Sequence, residues 1–578
     1  MFHFPQPLGA KNAKPMRLPS TAQCPILIDK GVVVMGISES ILKLRESYCL
    51  SQEKLAELIG VSRQTVQKWE SGASLPEIDR LIKISNCFGL SLDALIKHNG
   101  RRVTEELASH NKIFPNYGSL PAWEAYSSGL TVEYRQSYEE GLDVGSLEGL
   151  FQETARLPCS AEKEEIADIL FRLAVNAPVR SDYPYTEPSD LEQIKLLRDG
   201  YETGQKSVAL NPQQLQSKVQ GAWMGRICGC LLGKPIEGIR TNELHSLLKA
   251  SGNFPMRRYI LSTDITAEML QQFNFPLSGR CYADIVERAP VDDDTNYTVL
   301  AQAIIERSGL HFTPQDVANA WLDLQGKNAY CTAERVAYCN LIRGYTPPAS
   351  AKYKNPYREW IGAQIRGDYY GYIHPGRPES AAEMAWRDAS ISHIKNGIYG
   401  EMFVAAMLAQ AAVSTDLEDI LRTGVSQIPS TSRLYRAVYS VLEGFHAGIP
   451  EKVCFDHIHR IYDEHSPHDW CHTLSNAMIV ASALLYGSGD FGKSICLAVQ
   501  TGFDTDCNGA TVGSVLGMRN GIEQIGYEWT VPVHHQLETS IFGVGTVELS
   551  ILVDKTLEHI RQAAEANILE TKRQKKTE

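Results

Sequence analysis

No stretch of this chain approaches the roughly 20 consecutive apolar residues that span a bilayer, so no membrane partner is expected. The apolar piece Gly31–Met35 that ends the N-terminal stretch is short. That is below the roughly 7–15 residues of a secretory signal core. The thirteen cysteines include no C-x-x-C pair and are odd in number, which excludes a disulfide scaffold. They read as reduced thiols of a cytoplasmic protein. Cys228 and Cys230 stand one residue apart with no histidine near, which is not a zinc spacing. A net charge of −12 excludes a surface that grips nucleic acid all over. Alternating strand patterns are nearly absent, so the expected fold is all-α. With 578 residues, 43% of them hydrophobic, the chain is long enough for two or three soluble globular domains.

What is present centres on Gly502–Gly521, G-F-D-T-D-C-N-G-A-T-V-G-S-V-L-G-M-R-N-G. Glycines at 509, 513, 517 and 521 form one stripe of a helix, which lets another backbone approach closely. Each interior glycine costs about 1 kcal/mol against alanine, so the stripe predicts a central, tightly packed helix. Asp504 and Asp506 sit at its N-terminus, where an ordinary cap is the plain alternative. A second cluster, Asp292-Asp293-Asp294-Thr295, opens another apolar helix (Tyr297, Val299, Leu300, Ala303, Ile304). Two acidic helix mouths far apart in sequence are what a hard divalent cation with oxygen ligands needs.

The pattern divides the chain into a disordered, Pro-rich tail over 1–34, a compact module over 35–97, a linker and helical connector over 98–210, a large domain over 211–560 and a charged tail over 561–578. Met35 directly precedes the first periodic segment, so translation is expected to begin there. A native peptide from residues 1–30 in mass spectrometry would reverse that reading. The connector carries a helical stripe, Ile166, Ile169, Leu170 and Leu173, and is expected to pack on the domain that follows. That domain shows helical stripes at Val317–Leu324, Ile398–Ala412, Leu434–Phe445, Ala477–Leu485 and Leu549–Ile560, pointing to a helical bundle with its site at one end.

Residues 37–97 read as five helices. Ser51 caps a helix with Leu55, Ala56 and Leu58 that Gly60 ends, and Ser62 caps R-Q-T-V-Q-K-W-E. Ala56, Gly60 and Val66 have the spacing of a helix-turn-helix. With W-E-S-G-x-x-x-P, the stretch resembles the Cro/repressor-type helix-turn-helix family. The resemblance implies double-stranded DNA as partner, with Arg63, Gln64, Gln67 and Lys68 toward the major groove or its phosphates. The segment's eight acidic and eight basic residues balance, which keeps open a protein-interaction module that has lost DNA binding.

Three more features accompany the acidic mouths: G-R-I-C-G-C-L-L-G-K-P-I-E over 225–237, G-A-Q-I-R-G-D-Y-Y-G over 362–371, and Ser392-His393 before an apolar helix. In this order the set resembles the ADP-ribosylglycohydrolase family, which includes the enzyme that reactivates dinitrogenase reductase. The resemblance implies an all-α bundle with two Mg2+ (or Mn2+) ions that cleaves ADP-ribose from a modified macromolecule. It places metal ligands at Asp293, Asp294, Asp504 and Asp506, with Asp292 where the family has a hydroxyl. The family's glutamate falls on Glu237, and its phosphate- or ribose-cradling turn near Gly362 and Arg366. Cys507 replaces the family's threonine, Cys230 an aspartate, and Asp368 stands where the phosphates would lie. A thiol is a poor ligand for a hard cation.

Glu237 and Asp293 are the candidates for orienting the ribose or accepting a water proton, whereas His393 reads as a cap or core partner. The expected function is a metal-dependent glycohydrolase coupled to sequence-specific DNA binding. The alternative is a transcription regulator whose bundle senses ADP-ribose or a related nucleotide without turnover. A monomer with one small DNA module binds weakly, so a homodimer on a two-fold site is expected.

Overall fold

Capping chemistry sets out the N-terminal helices. In the computed structural model, which describes residues 30–48, 50–97, 115–201 and 210–577, the chain forms two compact units, Met1–Pro115 and Asn116–Glu578. The first contains α1 (Lys30–Ser47), α2 (Gln52–Ile59), α3 (Arg63–Glu70), α4 (Ile78–Phe88) and α5 (Leu92–Lys97). Ser51 and Ser62 accept hydrogen bonds from Lys54 N and Thr65 N, so each satisfies an otherwise orphaned donor of α2 and α3. Gly60 closes α2 in the left-handed region at φ 73°, which glycine adopts without a Cβ penalty. Leu55, Ala56, Ile59, Val66 and Trp69 join one buried core. The boundary drawn at residue 35 falls inside α1, which begins at Lys30. The remainder of the expected tail, residues 1–29, lies outside the described residues, as do residues 98–114 of the linker.

In the second unit the connector forms α6 (Leu130–Glu139), α7 (Glu148–Arg156) and α8 (Ala161–Val175). The stripe read from α8 is turned from its expected face. Leu170 is buried with Ala167 and Ala174, but Ile166, Ile169 and Leu173 are exposed. The small residues let α8 sit close to its neighbours, and Lys163 reaches back to the carbonyls of Ala155 and Leu157. The connector meets the bundle through buried charge. Arg358 donates to Glu133 at 3.0 Å and to Glu140 at 2.5 Å, while Arg433 holds Glu187 at 2.9 Å and Glu359 at 2.7 Å.

The bundle is built from α9 (Pro212–Gly233), α10 (Asp293–Ser308), α11 (Thr332–Ile342), α12 (Lys395–Ala411), α13 (Arg433–His446), α14 (Thr473–Gly487), α15 (Phe491–Gln500), α16 (Thr505–Asn520) and α17 (Leu549–Thr577). Among the described residues the only sheet is a two-stranded antiparallel pair, Gln536–Glu538 with Thr546–Glu548. The segment over 561–577 continues α17 rather than leaving the helix as a tail.

At the centre, α9 and α16 run antiparallel with glycine facing glycine. A Cβ on Gly221, Gly225 or Gly229 would fall within 3.0 Å of the main chain of Gly517, Gly513 or Gly509, and the reverse also holds. Gly233 meets Thr505 and Asp506 in the same way. This register brings the C-terminal end of α9, with Lys234 and Glu237 just beyond, beside the N-terminal mouth of α16. Helices α12, α14 and α15 pack around α16.

Candidate metal centre

The two acidic mouths meet. Asp292 is the N-cap of α10 and accepts from Asp294 N at 2.9 Å. Asp504 stands at the N-cap of α16 but makes no side-chain cap bond, so capping does not account for it. Its Oδ2 instead accepts from the Cys471 thiol at 3.3 Å. The turn before it is strained, with Phe503 at φ 57°, a region costly for a bulky side chain. Trp470 Nε1 holds that turn by donating to Phe503 O at 2.7 Å. Asn476 Oδ1 accepts from Asp504 N and from Asn508 Nδ2, at 3.2 and 2.8 Å. Thr505 Oγ1 donates to Gly233 O at 3.0 Å, tying α16 to the end of α9.

Ligand atoms of Asp294, Asp506 and Cys507 lie within 4.8 Å of one another, as do those of Cys230, Asp292 and Asp294. Asp294 Oδ2 and Asp506 Oδ1 are buried without a hydrogen-bond partner. Such atoms carry a desolvation penalty unless something unlike a neutral donor completes them. A divalent cation fits this donor set. The electrostatics agree. Burial, then the neighbouring carboxylates, push Asp293, Asp294 and Asp506 well above the usual carboxylate range. Glu237, half-buried at the rim, rises to about 7 through burial and then the charges of Asp504 and Asp292, against the pull of Lys234. Asp292 behaves oppositely: burial alone would raise it, but the Lys234 ammonium bonded to it holds it below its ordinary value.

Two cations that sequence reading passed over organise the centre. Arg226, fully buried inside α9, contacts Asp294 at 3.1 Å and Asp368 at 2.9 Å, and donates to the carbonyls of Asp294 and Ile365. Lys234 follows the last glycine of α9 and pairs with Asp292. The available signal was a charge inside a glycine-rich helix, where solvent cannot reach it.

The residues expected to cradle the ligand are buried and paired within the chain. Arg366 is buried, with its guanidinium on Asp388 at 2.6 Å, Glu334 at 2.7 Å and Glu401 at 3.4 Å. Asp368 is spent on Arg226 rather than facing a phosphate. Gly362 makes room for the Glu334 carboxylate, which a Cβ there would strike. Breaking a buried pair of this kind strands a charge in the low-dielectric interior, so these contacts bear on the fold. His393 is buried against Ser392 Oγ at 2.8 Å, a core partner. In the first unit, Arg63, Gln64, Gln67 and Lys68 are all exposed on α3 while Val66 and Trp69 face inward.

The chain covers relatives at both ends. Residues 41–95 match the helix-turn-helix family. A prophage-derived HTH-type transcriptional regulator of Bacillus subtilis, YonR, is 30% identical over 18% of this chain and 96% of its own length. The HTH-type transcriptional activator BcrR of Enterococcus faecalis is 40% identical over 14% of this chain and 42% of its own length. A solved ADP-ribosylglycohydrolase-related protein complex aligns with a TM-score of 0.39 and 18% identity, over 60% of this chain and 99% of that one. Residues 211–567, more than half of the sequence, match the ADP-ribosylglycohydrolase family profile. The chain therefore belongs to the ADP-ribosylglycohydrolase family, with a helix-turn-helix module ahead of that domain.

Proposed function

We propose that this protein is a metal-dependent glycohydrolase that removes ADP-ribose, or cleaves a related ribosyl bond, from a modified macromolecule, and that α3 directs it to double-stranded DNA. The observation that carries the reading is that Asp294 and Asp506 converge from two distant helix mouths while each keeps a buried oxygen, Oδ2 and Oδ1, without a hydrogen-bond partner. Asp292, Asp293, Asp294, Asp504 and Asp506 would hold two Mg2+ or Mn2+ ions. Lys234 compensates Asp292 and Arg226 engages Asp294 Oδ1, which leaves Asp294 Oδ2 and Asp506 Oδ1 for a cation. When bound, the ions supply an anchor for ribose hydroxyls and a more acidic water.

The chain's own groups supply the rest. Glu237 and Asp293 line the half-buried rim, where a carboxylate can accept the proton of the attacking water. The surrounding aspartates stabilise the cation-like sugar that develops as the glycosidic bond breaks. Arg226 engages Asp294 Oδ1 and leaves Oδ2 without a hydrogen-bond partner.

The test is release of ADP-ribose from ADP-ribosylated arginine, serine or DNA in Mg2+ or Mn2+, with calorimetry on the same protein. Turnover that disappears in Asp506→Asn supports the enzyme. Micromolar ADP-ribose binding without release from any substrate would favour the sensing regulator. No divalent binding by calorimetry would remove the metal reading altogether.

A further inference from the structure

Four thiols stand around the carboxylate centre. Cys230 and Cys507 each fall in a three-residue group whose ligand atoms converge. Cys471 donates to Asp504, and the charges of Asp293 and Glu237 act on Cys331. Three of the four are buried and Cys331 is half-buried. Their roles separate by partner. Cys471 is engaged by Asp504, and Cys230 falls in the group with Asp292, which Lys234 already neutralises. Cys507 falls in one group with Asp294 and Asp506, each of which keeps one buried oxygen without a hydrogen-bond partner.

We infer that Cys507 Sγ is itself a ligand of the ion held by Asp294 and Asp506, making this a mixed sulfur–oxygen site that prefers Zn2+ or Co2+ to Mg2+. This rests on the proposed metal-dependent reading and deepens it. Zn2+ takes sulfur and carboxylate ligands at about 2.0–2.3 Å, and the donor atoms of Asp294, Asp506 and Cys507 all lie within 4.8 Å of one another. A thiolate favours borderline and soft ions, whereas Mg2+ demands oxygen ligands and retains water. As the metal–sulfur bond forms, the thiol proton passes to water. Cys507 occupies the first turn of α16, one residue after Asp506, so the glycine packing that positions Asp506 positions the sulfur as well. Cys471 acts at one remove, through its bond to Asp504.

The experiment uses the full-length protein, stripped of metal and titrated with Co2+. A near-ultraviolet thiolate-to-cobalt charge-transfer band is expected, absent from an all-oxygen site. Cys507→Ser should abolish the band and weaken Zn2+ binding by about tenfold or more, while changing Mg2+ binding less than about twofold. Cys230→Ser and Cys471→Ser should keep the band. Unchanged far-ultraviolet circular dichroism in Cys507→Ser shows that the loss is not unfolding. Co2+ binding without the band, or a band that survives Cys507→Ser, overturns the inference and leaves the metal-dependent reading standing. Failure of every divalent ion to bind overturns both.

Discussion

Gly229 and Gly509 lie main chain to main chain, with no room on either for a single carbon. Everything at the centre depends on that approach, because it sets the end of α9 against the mouth of α16. An added methyl cannot be absorbed by a rotamer change, since the atoms it meets are backbone. Gly509→Ala is therefore expected to destabilise by about 1–3 kcal/mol or more, although alanine is the better helix former. Urea denaturation followed by circular dichroism checks this. A neutral or stabilising result would mean that the two helices are free to separate.

Arg366 gives the opposite lesson about a charge. Its three carboxylate partners, Glu334, Asp388 and Glu401, are buried with it, so its loss strands negative charge in the interior. Arg366→Met should cost about 3–5 kcal/mol and lower the yield of folded protein. If the residue instead cradled a diphosphate, the variant would fold normally and lose only ligand affinity. Thermal denaturation beside ADP-ribose calorimetry separates the two.

Much of this was legible in the sequence, for identifiable reasons. The glycine stripe at 509, 513 and 517 is a backbone signal, and close backbone approach is what it encodes. The acidic mouths showed themselves because like charges crowd there against their own repulsion. Arg366 could not be placed in the same way. Its partners lie 22 and 32 residues away for Asp388 and Glu334, and a single arginine in a glycine-bounded turn reads the same whether it faces a ligand or the core. On α8, Ile166, Ile169 and Leu173 have the right period but the wrong face, because Ala167, Leu170 and Ala174 permit the closer packing. The convergence of Cys507 with Asp294 is a tertiary fact that only the folded chain displays.

His472 makes stability depend on acid. It is buried, and its Nδ1 accepts from Leu474 N at 3.1 Å, so the proton of the neutral ring sits on Nε2, near Glu359 and His468. Burial, then the neighbouring His468, lower its pKa from 6.5 to about 3. The unfolded chain thus takes up a proton before the folded one does. Stability should fall as the pH drops below 6.5, by about 1.4 kcal/mol per unit, and this loss should level off near pH 3. His472→Gln removes the titration, so urea midpoints measured from pH 7 to pH 4 should decline less steeply in the variant. Parallel slopes would rule His472 out as the source.

The DNA-binding reading rests on α3. Arg63, Gln64, Gln67 and Lys68 are exposed there, and Ser62 and Gly60 fix how the helix enters and where its predecessor stops. Arg63 also lies 3.3 Å from Glu53 across the turn, an exposed pair worth little that DNA phosphate can displace. A glutamine on this face can make a bidentate contact with adenine, whereas a lysine adds charge that any phosphate satisfies. Gln64→Ala should relax sequence preference at one base pair, by about 1–3 kcal/mol of lost discrimination. Lys68→Ala should weaken binding to all sequences alike and reduce the salt dependence by about one phosphate contact. One module offers few such contacts, so tight binding is expected only on two half-sites about 34 Å apart, or a multiple of that, with the protein dimeric. Genomic fragments captured by the full-length protein, with equilibrium binding measured at several salt concentrations, decide the matter. If no sequence is enriched and Arg63→Ala leaves the residual binding unchanged, the exposed face of α3 serves a protein partner instead.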